Sequence, residues 1–183
     1  SKTVGQIKVE VLKNRFLEIN PNAHISALQE IYSPDSAQSF NLKEYDIVID
    51  AIDSLSNKKH LIETCLIEEI TIFSSMGAAL KIDPTKISIS DIWKTEGCPL
   101  AREVRKHLRK QKINKKLLCV YSKEVHKNQT YSQPQYLDSN ETQSSKGMWD
   151  SKKGQINGSL VHITAIFGFM LTSMVINSVK DSL

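Results

Sequence analysis

The sequence predicts an α/β chain: a partial sheet of parallel strands joined by crossover helices, continued by an antiparallel portion and a C-terminal helix. Three observations carry this. The run Tyr45 to Ile52 (Y-D-I-V-I-D-A-I) has the continuous apolar centre of a strand covered on both faces. A helix-like stretch separates it from a second short apolar run, Ile70 to Ser74, and the order strand, helix, strand requires a parallel crossover. Beyond Gly77 the pattern changes, and Lys86 to Ile89 alternates polar and apolar residues as a strand buried on one face does.

The remaining elements follow in order. Val4 to Ile19 places Ile7, Val11, Leu12, Phe16 and Ile19 on one helical stripe that stops at Asn20-Pro21. Ala23 to Leu28 reads as a short strand, and Pro34 to Phe40 as a turn of helix. Ser56 to Glu69 forms the crossover helix, and Asp83-Pro84-Thr85 a turn. Pro99 suits the first position of a helix reaching about Gln111, with Leu100, Val104 and Leu108 on its inner side. Leu117 to Tyr121 is a further strand. His126 to Gly158 is polar and aperiodic, the pattern of a long mobile loop. Leu160 to Ile176 is the last helix. It is apolar but short for a membrane span and contains His162, Thr164, Thr172 and Ser173, so packing on the sheet is expected, with Gly168 allowing a close approach.

With 183 residues and 40% hydrophobic content, one domain over 1–183 is expected. Its parts would be 3–75, parallel; 76–125, antiparallel with a basic helix; 126–158, loop; and 159–181, final helix. Cys65, Cys98 and Cys119 form no C-x-x-C pair, so neither zinc nor a disulfide framework is expected. No apolar signal segment opens the chain, and a cytoplasmic location is the default expectation.

The charge of +4 is unevenly spread. Between Leu100 and Lys127 ten Lys or Arg, among them Arg102, Arg105, Lys106, Arg109 and Lys110, face two acids, Glu103 and Glu124. Such a patch fits nucleic acid, and equally a solvated face. Asp53 lies just past the carboxyl end of its strand, where open α/β sheets bind ligands and a carboxylate can hold Mg2+ against phosphates; alternatively it or Ser56 caps the next helix. Lys8, early in its helix, can pair with phosphates or stand on the polar side of an amphipathic helix. Cys98 at a helix start is either an activated thiol or a structural one.

Beyond these physical signals, T-V-G-Q-x-K-V-E from Thr3, Ile19-Asn20-Pro21, D-A-I-D-S from Asp50 and I-D-P-T from Ile82 occur in an order that resembles the bacterial adenylating branch of the ubiquitin-activating-type superfamily. Asp91 to Thr95, Pro99 to Arg102 with Arg105 and Leu108, and Gly158 to Leu160 leading to Ala165 to Gly168 narrow the resemblance to the tRNA threonylcarbamoyladenosine dehydratases.

The resemblance implies a Rossmann-like fold, a homodimer, and use of ATP and Mg2+ to adenylate the carboxylate of a threonylcarbamoyl group on tRNA. The modification's own nitrogen then closes a ring and expels AMP. By position, Lys8 corresponds to the phosphate-contacting lysine, Asp53 to the metal and nucleotide aspartate, and Lys58 to a further lysine of that site. The basic residues of the helix after Pro99 would meet tRNA.

Two departures stand out. The glycine-rich G-x-G-G-V-G-S turn does not occur, so weak ATP binding is expected of this chain alone, with a further chain as the source of the missing half of the site. Met76 to Leu80 also replaces a stretch usually richer in glycine. Adenylation of a small sulfur-carrier protein is the alternative enzyme, and a non-catalytic tRNA-binding or dimerising module the alternative without chemistry.

Overall fold

The computed structural model describes residues 2–125 and 158–181. The chain divides into two compact units between Phe40 and Asn41. The loop expected at 126–158 lies, except for Gly158, outside the described residues.

In the first unit, Gly5 adopts φ 85°, a left-handed turn open to glycine, and α1 (Lys8–Ile19) follows. The apolar stripe does form a helix, yet none of its residues is buried; Phe16 and Ile19 are 50% and 70% exposed. Residues 23–28 are not a strand. Their alternation is real, since Ala23, Ile25 and Ala27 are half-buried while His24, Ser26 and Leu28 are exposed, but among the described residues no backbone ladder accompanies it. Extended backbone becomes a strand only when its N–H and C=O groups pair with a neighbour. A short 3-10 turn at Ala37–Phe40 closes the unit, with the Phe40 ring set edge-on to Tyr32 at 5.3 Å.

The second unit is built on a four-stranded sheet of β1 (Ile47–Asp50), β2 (Thr71–Ser75), β3 (Ile87–Asp91) and β4 (Leu118–Ser122), in the order β1-β2-β4-β3. β1, β2 and β4 run parallel, and β3 pairs antiparallel with β4, so the parallel-then-antiparallel expectation holds. β1 is not covered on both faces as its apolar run suggested. It stands at the sheet edge, where Ile49 is 49% exposed.

Helix α4 (Val161–Lys180) lays Ile163, Phe167, Leu171 and Met174 on Phe73, Ile87 and Val120 to form a core on one face of the sheet. Strand side chains alternate, so Ser74 points to the other face, where α2 (Leu55–Ile67) packs on β1 and β2, and α3 (Pro99–Lys110) packs on α2. α4 is long and apolar enough by length and composition to cross a membrane, and its outer face leaves Phe169 73% exposed. Gly168 lies on that outer face; a Cβ there meets nothing within 4 Å among the described residues, so it does not serve a close approach to the sheet.

Among the described glycines, Gly97 is the one where an added Cβ would collide with backbone. At φ 66° it turns the chain into α3, and a Cβ would lie 2.7 Å from the Lys123 carbonyl oxygen. Gly97→Ala is therefore expected to destabilise by at least about 1–2 kcal/mol from the left-handed backbone alone. Urea unfolding of the variant measures this.

Candidate functional site

The carboxyl end of β1 carries a fully buried polar network. Asp50 is the last residue of the strand and is fully buried, as are Lys58 and Ser74. Lys58 Nζ donates to Asp50 Oδ2 at 2.6 Å and to the Ser75 carbonyl at 2.9 Å. Ser74 Oγ donates to the same Asp50 oxygen at 2.5 Å. Oδ1 of Asp50 accepts the Ile52 amide at 3.0 Å, which bends the chain out of the strand. Asp53 follows directly and is exposed, so its carboxylate stands at the solvent end of a turn whose base is buried. The N-cap of α2 is Ser54, without a side-chain capping bond; its hydroxyl lies 3.2 Å from that of Ser56.

Lys8 is the first residue of α1, in the first unit, and is exposed. A cation there opposes the helix dipole, whose N-terminal N–H groups instead favour an anion. An anion bound at that end would be held by both. Lys58, by contrast, has its ammonium committed to Asp50 and the Ser75 carbonyl in the buried side of the β1 turn.

The basic residues of α3 have different surroundings. Ala101, Val104 and Leu108 face inward. Arg105 is half-buried and donates to the carbonyls of Ile92 at 3.2 Å and Thr95 at 3.0 Å, and to the Thr95 hydroxyl. It ties the D-I-W-K-T turn to α3. Arg109 lies over the Trp93 ring, 5.7 Å from its centroid, and the indole N–H donates to the Lys115 carbonyl. Arg102, Lys106 and Lys110 are exposed on the helix surface. The neighbouring acids are engaged: Glu63 with His107 at 2.6 Å, and Glu103 with Lys59 at 4.0 Å.

Asp50, Ser74 and Glu124 were not singled out from sequence. Asp50 had a signal: a carboxylate inside an apolar strand needs a buried partner, and Lys58 follows in the first turns of the next helix. The buried Glu124 accepts the amides of Ile82 and Asp83 at 3.0 and 3.1 Å, pinning the I-D-P-T turn. Within that turn, hydrogen bonds from the Thr85 hydroxyl and amide, then the nearby Lys86, hold the Asp83 carboxyl below its ordinary range.

All three thiols are free and buried. Burial, with Asp50 adding to it, pushes Cys65 up to about 12, and burial first of all does the same to Cys119. A thiol whose folded pKa lies above the ordinary 9.0 contributes its stability below that value and loses it as pH rises toward about 12. The melting temperature is therefore expected to fall through this alkaline window, and less steeply in Cys119→Ala. Cys98 is 5% exposed at the N-cap of α3 and makes no capping bond. Among the described residues no three His, Cys, Asp or Glu side chains gather as a metal cluster.

The chain is 43% identical over 122 residues to the tRNA threonylcarbamoyladenosine dehydratase of Bacillus subtilis, covering 67% of this chain and 48% of that protein. It is 37% identical over 106 residues to the enzyme of that name from Escherichia coli, covering 58% and 40%. Among solved structures, the E. coli tRNA N6-threonylcarbamoyladenosine dehydratase TcdA in complex with AMP superposes with a TM-score of 0.76 at 29% identity, over 99% of this chain and 67% of that one. The same protein in complex with ATP gives a TM-score of 0.76 at 27% identity, over 99% and 67%. The chain thus spans about half the length of the curated relatives it matches. The ThiF family profile matches residues 1–181, and the chain belongs to the ThiF family.

Proposed function

We propose that this chain forms part of an ATP-dependent site that dehydrates threonylcarbamoyladenosine in tRNA through an adenylated carboxylate. The observation that carries the reading is the exposed Asp53 carboxylate on a turn anchored by buried groups at the carboxyl end of β1, in a ThiF-family chain whose relatives bear the dehydratase name. Ligands of open α/β sheets bind at such strand ends.

The chemistry needs cations and positioning rather than a protein nucleophile. The threonylcarbamoyl carboxylate attacks the α-phosphorus of ATP, an O–P bond forms, and pyrophosphate leaves with the electrons of the broken bond. The modification's own nitrogen then attacks the activated carbonyl, gives up its proton, and AMP departs. Lys8 at the start of α1 neutralises phosphate charge as it builds. Asp53 fits a hard divalent cation, since Mg2+ is commonly held by one or two carboxylates together with substrate phosphates, and Mg2+ bound there would supply charge neutralisation. Cys98, buried, has no step to perform. Lys106, Arg109, Lys110 and Arg102 meet the tRNA backbone, and Arg105 shapes the turn beneath them.

No G-x-G-G-V-G-S turn occurs within the 183 residues, so by themselves they are expected to hold ATP weakly. The test incubates tRNA carrying the open modification with ATP and Mg2+, using this chain alone and this chain joined to a polypeptide that carries the glycine-rich turn. Mass spectrometry of the nucleosides should show ATP-dependent loss of one water in the joined form. Its absence there, or activity toward a carrier protein's C-terminus instead, sinks the reading.

A further inference from the structure

We infer that Asp50 and Lys58 are positioning residues: a buried clamp that fixes the Asp53 turn, with Lys58 acting on the site through Asp50 rather than on a ligand directly. Four pieces of chain meet at one carboxylate. Asp50 ends β1; its Oδ1 holds the Ile52 amide; its Oδ2 receives the Lys58 ammonium from α2 and the Ser74 hydroxyl from β2. Lys58 also donates to the Ser75 carbonyl, and its own amide donates to the Ser54 carbonyl at 2.9 Å. The Asp50 carboxylate therefore ties the turn from Ala51 to Ser54 at its start and, through the Lys58 ammonium, to α2, whose first backbone bond closes the turn at Ser54. Asp53 lies between the two ties.

Burial decides against a direct role for Lys58 in this geometry. Its side chain is 1% exposed and that of Asp50 0%, whereas Asp53 is exposed. A salt bridge this deep carries a desolvation penalty that can match its attraction, so stability alone is a weak reason for placing one here. What an apolar pair of the same volume cannot do is hold an amide of the turn together with a hydroxyl and a carbonyl of β2 at fixed distances. Reproducible placement of one carboxylate is what a divalent-cation site requires. That consequence for Mg2+ and ATP rests on the function proposed above; the clamp itself does not.

The test separates the two. Removing one partner alone strands a buried charge, so the main variant is Asp50→Val/Lys58→Met/Ser74→Ala, which replaces the network by apolar groups of similar size. Ser74→Ala alone is the milder companion. Amide hydrogen exchange is followed in the 183-residue chain. In the triple variant the amides of residues 51–54 should exchange about tenfold faster or more, and in Ser74→Ala about threefold faster, while the amides of β4 keep their protection. No local acceleration in a folded variant, or a uniform loss across the sheet, overturns the clamp.

A second arm measures ATP affinity with and without Mg2+ in the form joined to the glycine-rich turn. The triple variant should lose the gain that Mg2+ brings while keeping the metal-free affinity, and adding Asp53→Asn to it should cost nothing more. Equal loss with and without Mg2+ assigns the network a general structural role and overturns the positioning. A wild-type affinity that Mg2+ does not change would instead remove the nucleotide reading, leaving hydrogen exchange to decide the clamp.

Discussion

Lys58→Met is expected to lower the stability of the second unit by about 3–5 kcal/mol, the usual cost of leaving one charge of a buried pair without its partner. The pair is 2.6 Å long and its side chains are 1% and 0% exposed, so water does not compensate the loss. Among the described residues Asp50 would keep only the Ser74 hydroxyl and the Ile52 amide, and the Ser75 carbonyl would lose its ammonium donor. The triple replacement by Val, Met and Ala should recover most of this loss, because it removes both charges and the hydroxyl together. Urea unfolding distinguishes the outcomes: the midpoint should drop sharply in the single variant at unchanged slope, and return in the triple. A loss below about 1 kcal/mol, the value of a solvent-exposed pair, would show that water reaches Lys58 and would contradict its burial.

What the sequence revealed depended on how local the signal was. β2, β4 and α3 were legible because burial and periodicity are written into consecutive residues, and Pro99 marks its helix start directly. The extended segment at 23–28 shows the limit. Its alternation is present in sequence and in burial, but a ladder needs a neighbour that alternation does not specify. The cover of β1 was misjudged for a related reason: four apolar or buried residues in a row do not say whether the strand is central or at an edge, and here it is at the edge. Gly168 was read from residue type alone, which cannot tell the inner from the outer face of a helix as uniformly apolar as α4.

At the candidate site, position along a strand was readable and partnership was not. Asp53 follows a strand whose end the pattern located to within a few residues. Lys58 is marked only by the family resemblance, as a further lysine of the nucleotide site. Only the fold shows that Asp50, eight residues earlier, and Ser74, on the adjacent parallel strand, converge beside it. The same holds for α3, where sequence composition made five cations equivalent, whereas Arg105 reaches back to Ile92 and Thr95 and leaves the exposed face to the others.

Asp53→Asn and Lys8→Ala should each cost about 10²–10³-fold in ATP-dependent dehydration by the form that carries the glycine-rich turn, the usual effect of deleting one charged contact to a developing transition-state charge. Neither should move the unfolding midpoint appreciably. Both side chains are exposed, Asn keeps the size of Asp, and Ala at the start of α1 removes a cation from the positive end of a helix dipole, a change that favours the helix if anything. The two losses should differ in their response to metal. If the proposed roles hold, raising Mg2+ should partly restore Asp53→Asn, whose defect would be weakened cation binding, and should leave Lys8→Ala unchanged, whose defect would be a lost contact to phosphate. Single-turnover rates across a Mg2+ series measure the difference. If Asp53→Asn turns over at the wild-type rate, the carboxylate takes no part in holding a cation, and its proposed role falls.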